Sequence, residues 1–258
     1  MKLAVIGGTG FGKPDILGET SPLSVDTPFG EVALNELQLG DRTVYLLSRH
    51  MADHTVAPHL GNYRANMMAL KQLGETRVIA TAAVGAISEL YEVGDMMMLS
   101  QFLDFTKQRP LSVLDQTSRP IHIDLTNPYC HRLSSLVARE ASEVGVNLKR
   151  DAIYACMEGP RFETAAEIQM LRRLGADVVG MTQVPEVIMA RELEFCYAAV
   201  GLVTNLAAGR RLGEVLSQAS IDQVLSERRE ALSSVIKAAL LAEEELVCEC
   251  QYALYEYR

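Results

Sequence analysis

Residues 157–167, MEGPRFETAAE, are the stretch that decides the fold of this chain. They follow an apolar run at residues 152–156, which predicts a buried strand. Gly159-Pro160 then forces a turn, because proline lacks an N–H donor and cannot continue a helix or an inner strand. Residues 163–174 have helical spacing, with Ala166, Met170 and Leu171 expected on one buried face. A strand, a tight turn and a helix start in succession are typical of α/β folds, where such junctions bind ligands.

Three side chains at this junction offer complementary binding chemistry. Arg161 supplies a cation, Phe162 a stacking face and Glu163 a hydrogen-bond acceptor. The same residues also fit an ordinary βα loop, with the arginine on the surface and the glutamate favoured by the helix dipole. The segment by itself leaves both interpretations open.

Strand-like and helix-like segments alternate in both directions from this junction. Strands are predicted at 2–6, 31–37, 43–48, 78–82, 95–99, 152–156, 176–179 and 198–204, and helices at 62–73, 128–144, 163–174, 185–194 and 221–247. Residues 106–127 are polar and contain prolines, so we predict a long loop there. The pattern predicts an α/β fold in which residues 1–258 form a single domain, with a central mixed β-sheet flanked by helices.

Composition limits the classes of function. The 258 residues are 48% hydrophobic, enough for a sizeable core, and the net charge is −9. No basic patch stands out, so nucleic acid is not an expected partner. No apolar run approaches the length of a membrane span. The N-terminus enters a strand directly and lacks a signal-peptide pattern, so we expect a cytoplasmic protein.

The five cysteines form no recognisable metal motif in the sequence. Cys248 and Cys250 are neighbours, but no second pair lies near them in the chain. The remaining three are Cys130, Cys156 and Cys196. Irregular spacing and an odd number predict reduced thiols without a metal.

The first strand leads into a glycine-rich loop, GGTGFG at residues 7–12. Glycines let backbone N–H groups turn inward, which is typical of anion-binding loops. No Gly-Lys-Ser/Thr follows, so the loop is not a P-loop. Thr9 could donate to a phosphate or could simply stabilise the turn.

Further polar residues stand at the ends of predicted strands, where α/β sheets place ligands. Arg49 and His50 supply a cation and an imidazole that suit an anion, although such a pair also occurs on surface loops. Together the strand ends predict a phosphate pocket beside a base-reading pair, Glu163 and Asn205. The phosphate pocket would comprise Thr9, Arg49, His50, Thr182 and the backbone at Ala83.

In these motifs the chain resembles the trimeric purine nucleoside phosphorylases, most closely the methylthioadenosine phosphorylase branch. The resemblance runs over nearly the whole chain. Its carriers are GGTG at 7–10, VDTPFG at 25–30, Arg49-His50 with His54, NYRAN at 62–66, EGPRF at 158–162, Met181-Thr182 with VPE at 184–186, and CYA at 196–198. Each motif is a weak signal by itself, whereas their common order and spacing are specific.

The resemblance implies a reaction and an assembly. Members of the family cleave the N-glycosidic bond of a purine nucleoside with inorganic phosphate as co-substrate, and they need no metal or organic cofactor. By the same resemblance, Phe162 would flank the purine and ribose, and the Met181 backbone would meet a ribose hydroxyl. Phosphate would be held by Thr9, Arg49, His50, Thr182 and the Ala83 backbone, and catalysis would rest on Asn205, Glu163 and His50. A homotrimer is implied by the family alone.

Two departures from the methylthioadenosine branch concern the base. Adenine-specific members carry a Thr-Asp-x-Asp stretch, whereas this chain has Thr204-Asn205-Leu206-Ala207. That branch usually has a small polar residue where Glu163 stands. Asparagine and glutamate at these positions are similar to the 6-oxopurine enzymes, and they predict that the base is a 6-oxopurine.

The residues that would contact the 5' end of the substrate are similar to those of the methylthioadenosine branch. Ile221, Val224 and Leu225 match its apolar wall, and His122 matches a histidine contributed by a neighbouring subunit. The apolar spacing is also that of any core-facing helix, and His122 could be an ordinary loop residue. A separate departure is Ala82, where the branch often has a threonine that contacts phosphate.

The two pockets together predict phosphorolysis of 5'-methylthioinosine to hypoxanthine and 5-methylthioribose 1-phosphate. The alternatives are a 6-oxopurine nucleoside phosphorylase acting on inosine or guanosine, a methylthioadenosine phosphorylase, and a purine-binding protein without catalysis.

Overall fold

The computed structural model describes residues 3–11, 16–49, 56–74, 76–114, 121–211, 217–244 and 247–256. The described part of the chain contains eleven strands and five α-helices. The strands are β1 (Leu3–Gly7), β2 (Thr20–Thr27), β3 (Gly30–Leu39), β4 (Arg42–Ser48), β5 (Arg77–Ala86), β6 (Met96–Phe105), β7 (Ile121–Ile123), β8 (Leu148–Met157), β9 (Val178–Gly180), β10 (Cys196–Leu206) and β11 (Leu254–Glu256). The helices are α1 (Tyr63–Gln72), α2 (His131–Glu143), α3 (Ala165–Arg173), α4 (Gln183–Glu192) and α5 (Gln218–Leu241).

Nine strands form one mixed sheet in the order β10-β6-β8-β9-β5-β1-β4-β3-β2. The predicted α/β class with a central mixed sheet is therefore confirmed. The sheet is not open, because β10 also pairs with β5 and so closes β5, β9, β8, β6 and β10 into a ring. Strands whose sequence neighbours lie far apart thus end around one cavity.

The helices cover this sheet in separate groups. Helices α1 and α4 pack with one hydrophobic cluster, whereas α2 and α5 pack with a second cluster. Helix α3 contributes Ile168 and Leu171 to a third cluster. Each helix begins at a capping residue or turn that the sequence supplies, such as Asn62, whose Oδ1 accepts the Ala65 N–H at 3.2 Å.

Several boundaries differ from the sequence predictions. Strand β2 was not predicted, and the predicted loop at 106–127 contains β7, which pairs with β11. Helix α5 ends at Leu241 rather than at residue 247. Arg42 explains this end, because its guanidinium donates to the carbonyls of Leu240 and Ala242 and so satisfies the last turn.

The predicted buried face of α3 was partly wrong. Leu171 is buried as expected, but Ala166 and Met170 are exposed, and Ile168 takes the inner position. The helix begins at Ala165, two residues later than predicted. Glu163 therefore precedes the helix instead of lying on its surface.

Candidate active site

A cavity of about 240 Å³ lies where the ends of β1, β5, β9 and β10 meet the loop before α3. It brings together most of the residues that the sequence predicted to bind phosphate or the purine base. Those predicted residues in its wall are Thr9, Ala83, Phe162, Glu163, Met181, Thr182, Asn205 and Ile221. The other wall residues include Pro58, Gly85, Gly180, Thr204 and Gln218.

A β-bulge in β10 aims Asn205 into the cavity. Val203 pairs with Val84 and Asn205 pairs with Gly85, so Thr204 is an extra residue in the ladder. Val203 and Leu206 both face the first hydrophobic cluster, which reverses the usual alternation across the bulge. In a regular strand, residues two apart face the same side, so Asn205 would share the core-facing side of Val203 if the ladder had no bulge.

The Asn205 amide is held in place yet keeps further hydrogen-bonding capacity. Its Oδ1 accepts from the Thr204 hydroxyl at 3.0 Å, and its Nδ2 donates to the Leu206 carbonyl at 3.0 Å. An amide has two N–H donors and two acceptor lone pairs, so one of each remains for a ligand. A Cβ at Gly85 would lie 3.1 Å from Nδ2, so this close approach depends on glycine.

Glu163 is half-buried in the wall of the same cavity. Its Oε1 is buried and has no hydrogen-bond partner among the described residues. Burial raises the pKa of this carboxyl above its ordinary value of 4.5. A buried acceptor without a partner is costly, and a ligand N–H entering the cavity would satisfy it.

The capping box of α3 separates the roles of the neighbouring charged residues. Thr164 Oγ1 accepts the Glu167 N–H, and Glu167 Oε2 accepts the Thr164 N–H at 2.8 Å. Arg161 pairs with Glu167 at 2.7 Å and is largely exposed. The surface interpretation of Arg161 was therefore right, whereas Glu163 stands apart from the cap and Phe162, 49% exposed, flanks the cavity.

The wall of the cavity also includes Thr9, Ala83 and Thr182, which were predicted to hold phosphate. Thr182 precedes α4, and its hydroxyl makes no capping bond to that helix. Its N–H donates to the Tyr154 hydroxyl at 3.1 Å, and a side chain at Gly180 would collide with that hydroxyl. Tyr154 thus fixes the segment from which Thr182 reaches the cavity.

Arg49 does not line the cavity, although it lies close to Gly8, the residue before Thr9. Its Nε and Nη2 donate to Glu186 at 2.7 and 2.8 Å, and its Nη1 donates to the Thr81 carbonyl at 3.0 Å. Although burial opposes its charge, the Glu186 carboxylate holds the pKa of Arg49 above its ordinary value. Three of its five N–H donors are engaged by described residues, and Nη1 lies beside Gly8.

Besides Arg49, three described residues of the predicted site fall outside the cavity wall: His122, Val224 and Leu225. His50 lies outside the described residues. His122 is exposed in the middle of β7. Leu225 is buried against Gly10, and Val224 is half-buried beside it. Ile221 is the one member of the predicted apolar wall that lines the cavity, and substrate contacts by the other three stay predictions.

Arg109 braces the site from the predicted long loop. Its Nη1 donates to the carbonyls of Met181 and Val184 at 2.7 and 2.6 Å. Its Nη2 donates to the Glu158 carbonyl at 2.6 Å and to the Met157 carbonyl at 3.3 Å. One buried guanidinium therefore ties the end of β8 to the segment between β9 and α4. The residues that follow β8 and β9 both contribute to the cavity wall.

Comparison with known proteins decides the family. The sequence model of the Phosphorylase superfamily matches residues 2–241. The chain belongs to this superfamily.

Individual relatives of this chain carry different substrate names. A 6-oxopurine nucleoside phosphorylase of Pyrococcus furiosus is 42% identical over 98% of this chain and 97% of its own length. The "Probable S-methyl-5'-thioinosine phosphorylase" of Methanopyrus kandleri is 46% identical over 81% of this chain and 80% of its own length. The methylthioadenosine phosphorylase of Schistosoma mansoni, solved with adenine, has a TM-score of 0.88 at 29% identity and covers 93% of this chain and 90% of that one.

These likenesses confirm the nucleoside phosphorylase fold, and they leave the single-domain prediction untested. The family match ends at residue 241, so the inclusion of the tail in a single domain of 1–258 stays a prediction. Within the described residues of this phosphorylase, no helix combines the length and apolarity needed to cross a bilayer.

Two residues that hold the site were missed by sequence reasoning. Tyr154 lay in a segment already predicted as a buried strand, and its aromatic side chain had an obvious packing explanation. Arg109 lay in a polar stretch and looked like any surface arginine. Gly85, by contrast, belongs to a run of small residues after the predicted strand 78–82, and such residues indicate a close approach of backbone to a ligand.

Proposed function

We propose that the chain catalyses phosphorolysis of 5'-methylthioinosine, giving hypoxanthine and 5-methylthioribose 1-phosphate. The observation that carries the proposal is the unpaired, buried Oε1 of Glu163 in the same cavity wall as the Asn205 amide. Adenine-reading members of the resembling family have neither residue at these positions.

Hydrogen-bond complementarity supports a 6-oxopurine base. Hypoxanthine presents N1–H as a donor and O6 as an acceptor, whereas adenine presents the reverse. Glu163 would accept N1–H, and the free N–H of Asn205 would donate to O6. A mispaired buried group costs about 1–3 kcal/mol, so two mismatches would disfavour adenine by roughly 10²–10⁴.

The proposed chemistry forms one bond and breaks one. A phosphate oxygen attacks C1' of the ribose while the C1'–N9 bond breaks, and its electron pair moves into the purine. The leaving purine takes up one proton at N7, which in net terms is the proton that hydrogen phosphate loses when it becomes the sugar phosphate ester. Asn205 Oδ1, which keeps an acceptor lone pair, would accept the resulting N7–H. Inorganic phosphate is the co-substrate, and the chemistry needs no metal or organic cofactor.

Phosphate would sit between Thr9, Thr182 and the backbone at Ala83. Arg49 would contribute its remaining donors from behind the Gly8 turn, and His50 completes the predicted set. A dianion placed beneath the sugar both attacks and stabilises the positive charge of an oxocarbenium-like transition state. Because Arg49 is already neutralised by Glu186, neutral donors carry much of this binding.

The 5' substituent decides between two phosphorylase activities. Ile221 presents an apolar side chain to the cavity, which suits a methylthio group better than a free hydroxyl. The second candidate is a 6-oxopurine nucleoside phosphorylase acting on inosine or guanosine, as the Pyrococcus furiosus relative is named. Methylthioadenosine is the third candidate substrate, and Glu163 would disfavour its binding because adenine presents an acceptor rather than a donor at N1.

An initial-rate comparison tests the proposal. Methylthioinosine, methylthioadenosine and inosine are each supplied with and without phosphate. We expect phosphate-dependent cleavage with the highest kcat/KM for methylthioinosine. A preference for inosine would rule out the apolar 5' pocket, and a preference for methylthioadenosine would rule out the base assignment. Binding of purine without turnover of any of the three would favour the non-catalytic alternative.

A specificity exchange tests the base-reading pair directly. The double substitution Glu163→Ser with Asn205→Asp should move the preference from methylthioinosine towards methylthioadenosine. Arg161→Ser is the matched control, because Arg161 lies on the same loop but pairs with Glu167. An unchanged preference in the double variant would show that other residues read the base.

A further inference from the structure

Four of the five cysteines, scattered in the sequence, meet at one point of the fold. Cys130 precedes α2, Cys196 begins β10, and Cys248 and Cys250 lie in the tail after α5. Their four sulfur atoms all lie within 4.8 Å of one another. The sequence prediction found no second pair for Cys248 and Cys250, and the fold supplies it.

The spacing of these sulfurs suits one metal ion. A tetrahedral zinc site with Zn–S bonds of about 2.3 Å places its sulfurs about 3.8 Å apart. Cys130 and Cys250 are 3% and 5% exposed, so such an ion would be enclosed on the protein side. From this geometry we infer that Cys130, Cys196, Cys248 and Cys250 bind one zinc ion as a closed tetrathiolate site.

Two features near the cluster would offset part of the negative charge of four thiolates, while Asp124 and Glu249 also line the adjoining cavity. The Leu133 N–H at the start of α2 donates to Cys130 Sγ at 3.5 Å, and the helix N-terminus favours a thiolate there. Arg191 lines the adjoining cavity together with Cys130, Cys248 and Cys250. Its buried Nε has no hydrogen-bond partner among the described residues, so a cation with an unused donor lies in the wall of the cavity beside the sulfur cluster. Hydrogen bonds and charges around the ligands commonly tune such sites.

Disulfides are the competing use of four close thiols. Cys196 Sγ and Cys248 Sγ lie 3.2 Å apart, whereas a disulfide bond is about 2.05 Å long, and all five cysteines are free thiols. Forming two disulfides would also require an oxidant to take four electrons. Zinc binding transfers no electrons, because the four thiols release four protons and donate to the ion.

The site would be structural rather than catalytic. Four protein ligands leave no open position for water or substrate. The cavity beside the cysteines shares no wall residue with the candidate active site. The ion would instead join the tail to the starts of α2 and β10, beyond the end of α5. This inference is independent of the proposed substrate.

Metal analysis of the intact chain tests the site. Protein is produced with zinc in the medium, purified by gel filtration, and assayed for zinc by mass spectrometry. We expect one equivalent per chain, falling at least tenfold in Cys248→Ser and in Cys130→Ser. Cys156→Ser is the matched control, since Cys156 is the buried cysteine outside the cluster, and it should keep its zinc. Co²⁺ exchanged into the protein should show the d–d absorption of a tetrahedral thiolate site.

A thiol count separates the two uses of the cysteines. If the four cysteines bind zinc, all five thiols of the chain should be titratable in denaturant with a chelator and no reductant. A count of one thiol without zinc would mean two disulfides and would overturn the inference. Five thiols without zinc, from zinc-supplemented cells, would overturn it as well. If a serine variant fails to fold, the zinc content, cobalt spectrum and thiol count of the unmodified protein still decide.

Discussion

At the residue scale, Glu163 places a titrating group in the base pocket. Burial raises the pKa of its carboxyl above 4.5, so the carboxylate is lost at a higher pH than that of an exposed glutamate. The proposed role requires the ionised form. Nucleoside affinity should therefore be highest at pH values above the raised pKa and should weaken as pH falls through it. The same shift means that the ionised carboxylate lowers the free energy of unfolding as pH rises through this window.

The prediction compares pH profiles of two proteins. Glu163→Gln should lower kcat/KM for methylthioinosine by roughly 10–100-fold at neutral pH, because a hydrogen bond to a charged group contributes about 1.5–3 kcal/mol. It should also remove the acid limb of the nucleoside KM. Titration of phosphate affects both proteins equally and cancels in the comparison. An identical acid limb in the variant would assign that limb to another group.

Arg109 shows how one side chain can hold a site that it does not line. Replacing it with lysine would leave several carbonyls without their donors, because one ammonium cannot span the positions that the guanidinium forks reach. We expect Arg109→Lys to lower the free energy of unfolding by about 3 kcal/mol and to raise the nucleoside KM. Urea titrations and initial rates measure both effects.

Arg139→Lys is the control for this prediction. Arg139 is half-exposed, and its partners Glu140 and Glu244 lie on the surface. Surface ion pairs contribute about 0–1 kcal/mol, so this variant should stay close to the parent. Equal effects of the two substitutions would mean that Arg109 is not a brace.

At the element scale, the capping box of α3 sets where the base-reading loop ends. Thr164→Ala should cost about 1 kcal/mol of stability, because an N–H at the helix start loses its acceptor. The side-chain hydrogen bond from Arg161 lowers the pKa of Glu167 to about 2, so the acidic half of the box should survive until pH falls towards that value. Thermal or urea unfolding measures the loss.

The cap also predicts a small effect on binding. Because Thr164 directly follows Glu163, a frayed α3 should raise the nucleoside KM while the phosphate KM stays unchanged. Gln169→Ala, an exposed change on the same helix, should leave both values unaltered. A rise in the phosphate KM alone would show that the cap does not support the base pocket.

At the scale of the whole molecule, we predict that a neighbouring subunit completes the proposed substrate pocket. The family resemblance implies a trimer and places His122 in the 5' pocket of the adjacent subunit. In this chain His122 is exposed on β7, away from its own cavity wall, which suits a contact between subunits. Light scattering should give three times the chain mass of 28.3 kDa.

Subunit mixing tests whether the pocket is shared. Glu163→Ala and His122→Ala subunits, each impaired alone, should form mixed trimers when co-expressed. With random mixing, about a quarter of the sites combine an intact Glu163 with a neighbour's intact His122. Activity on subsaturating methylthioinosine should therefore exceed the mean of the two separate variants. Activity equal to that mean would place each site within one subunit.

The sequence by itself determined the parts of this protein that depend on near neighbours in the chain. The turn at Gly159-Pro160, the start of α3 to within two residues and the alternation of strands and helices follow from local conformational preferences. The residue types that would read the base and hold the phosphate were visible as motifs, and most of them do line one cavity. Local backbone preferences and side-chain chemistry are properties of short segments, which is why a short stretch of sequence is enough to predict them.

Tertiary structure alone decided what depends on distant segments meeting. The bulge at Thr204 turns Asn205 to the cavity face only because of its register with β5, and Arg42 ends α5 from another part of the sheet. The closed ring of strands, the brace formed by Arg109 and the meeting of four cysteines arise in the same way. Strand register and side-chain convergence are set by the packing of the whole chain, and no short stretch of sequence encodes them.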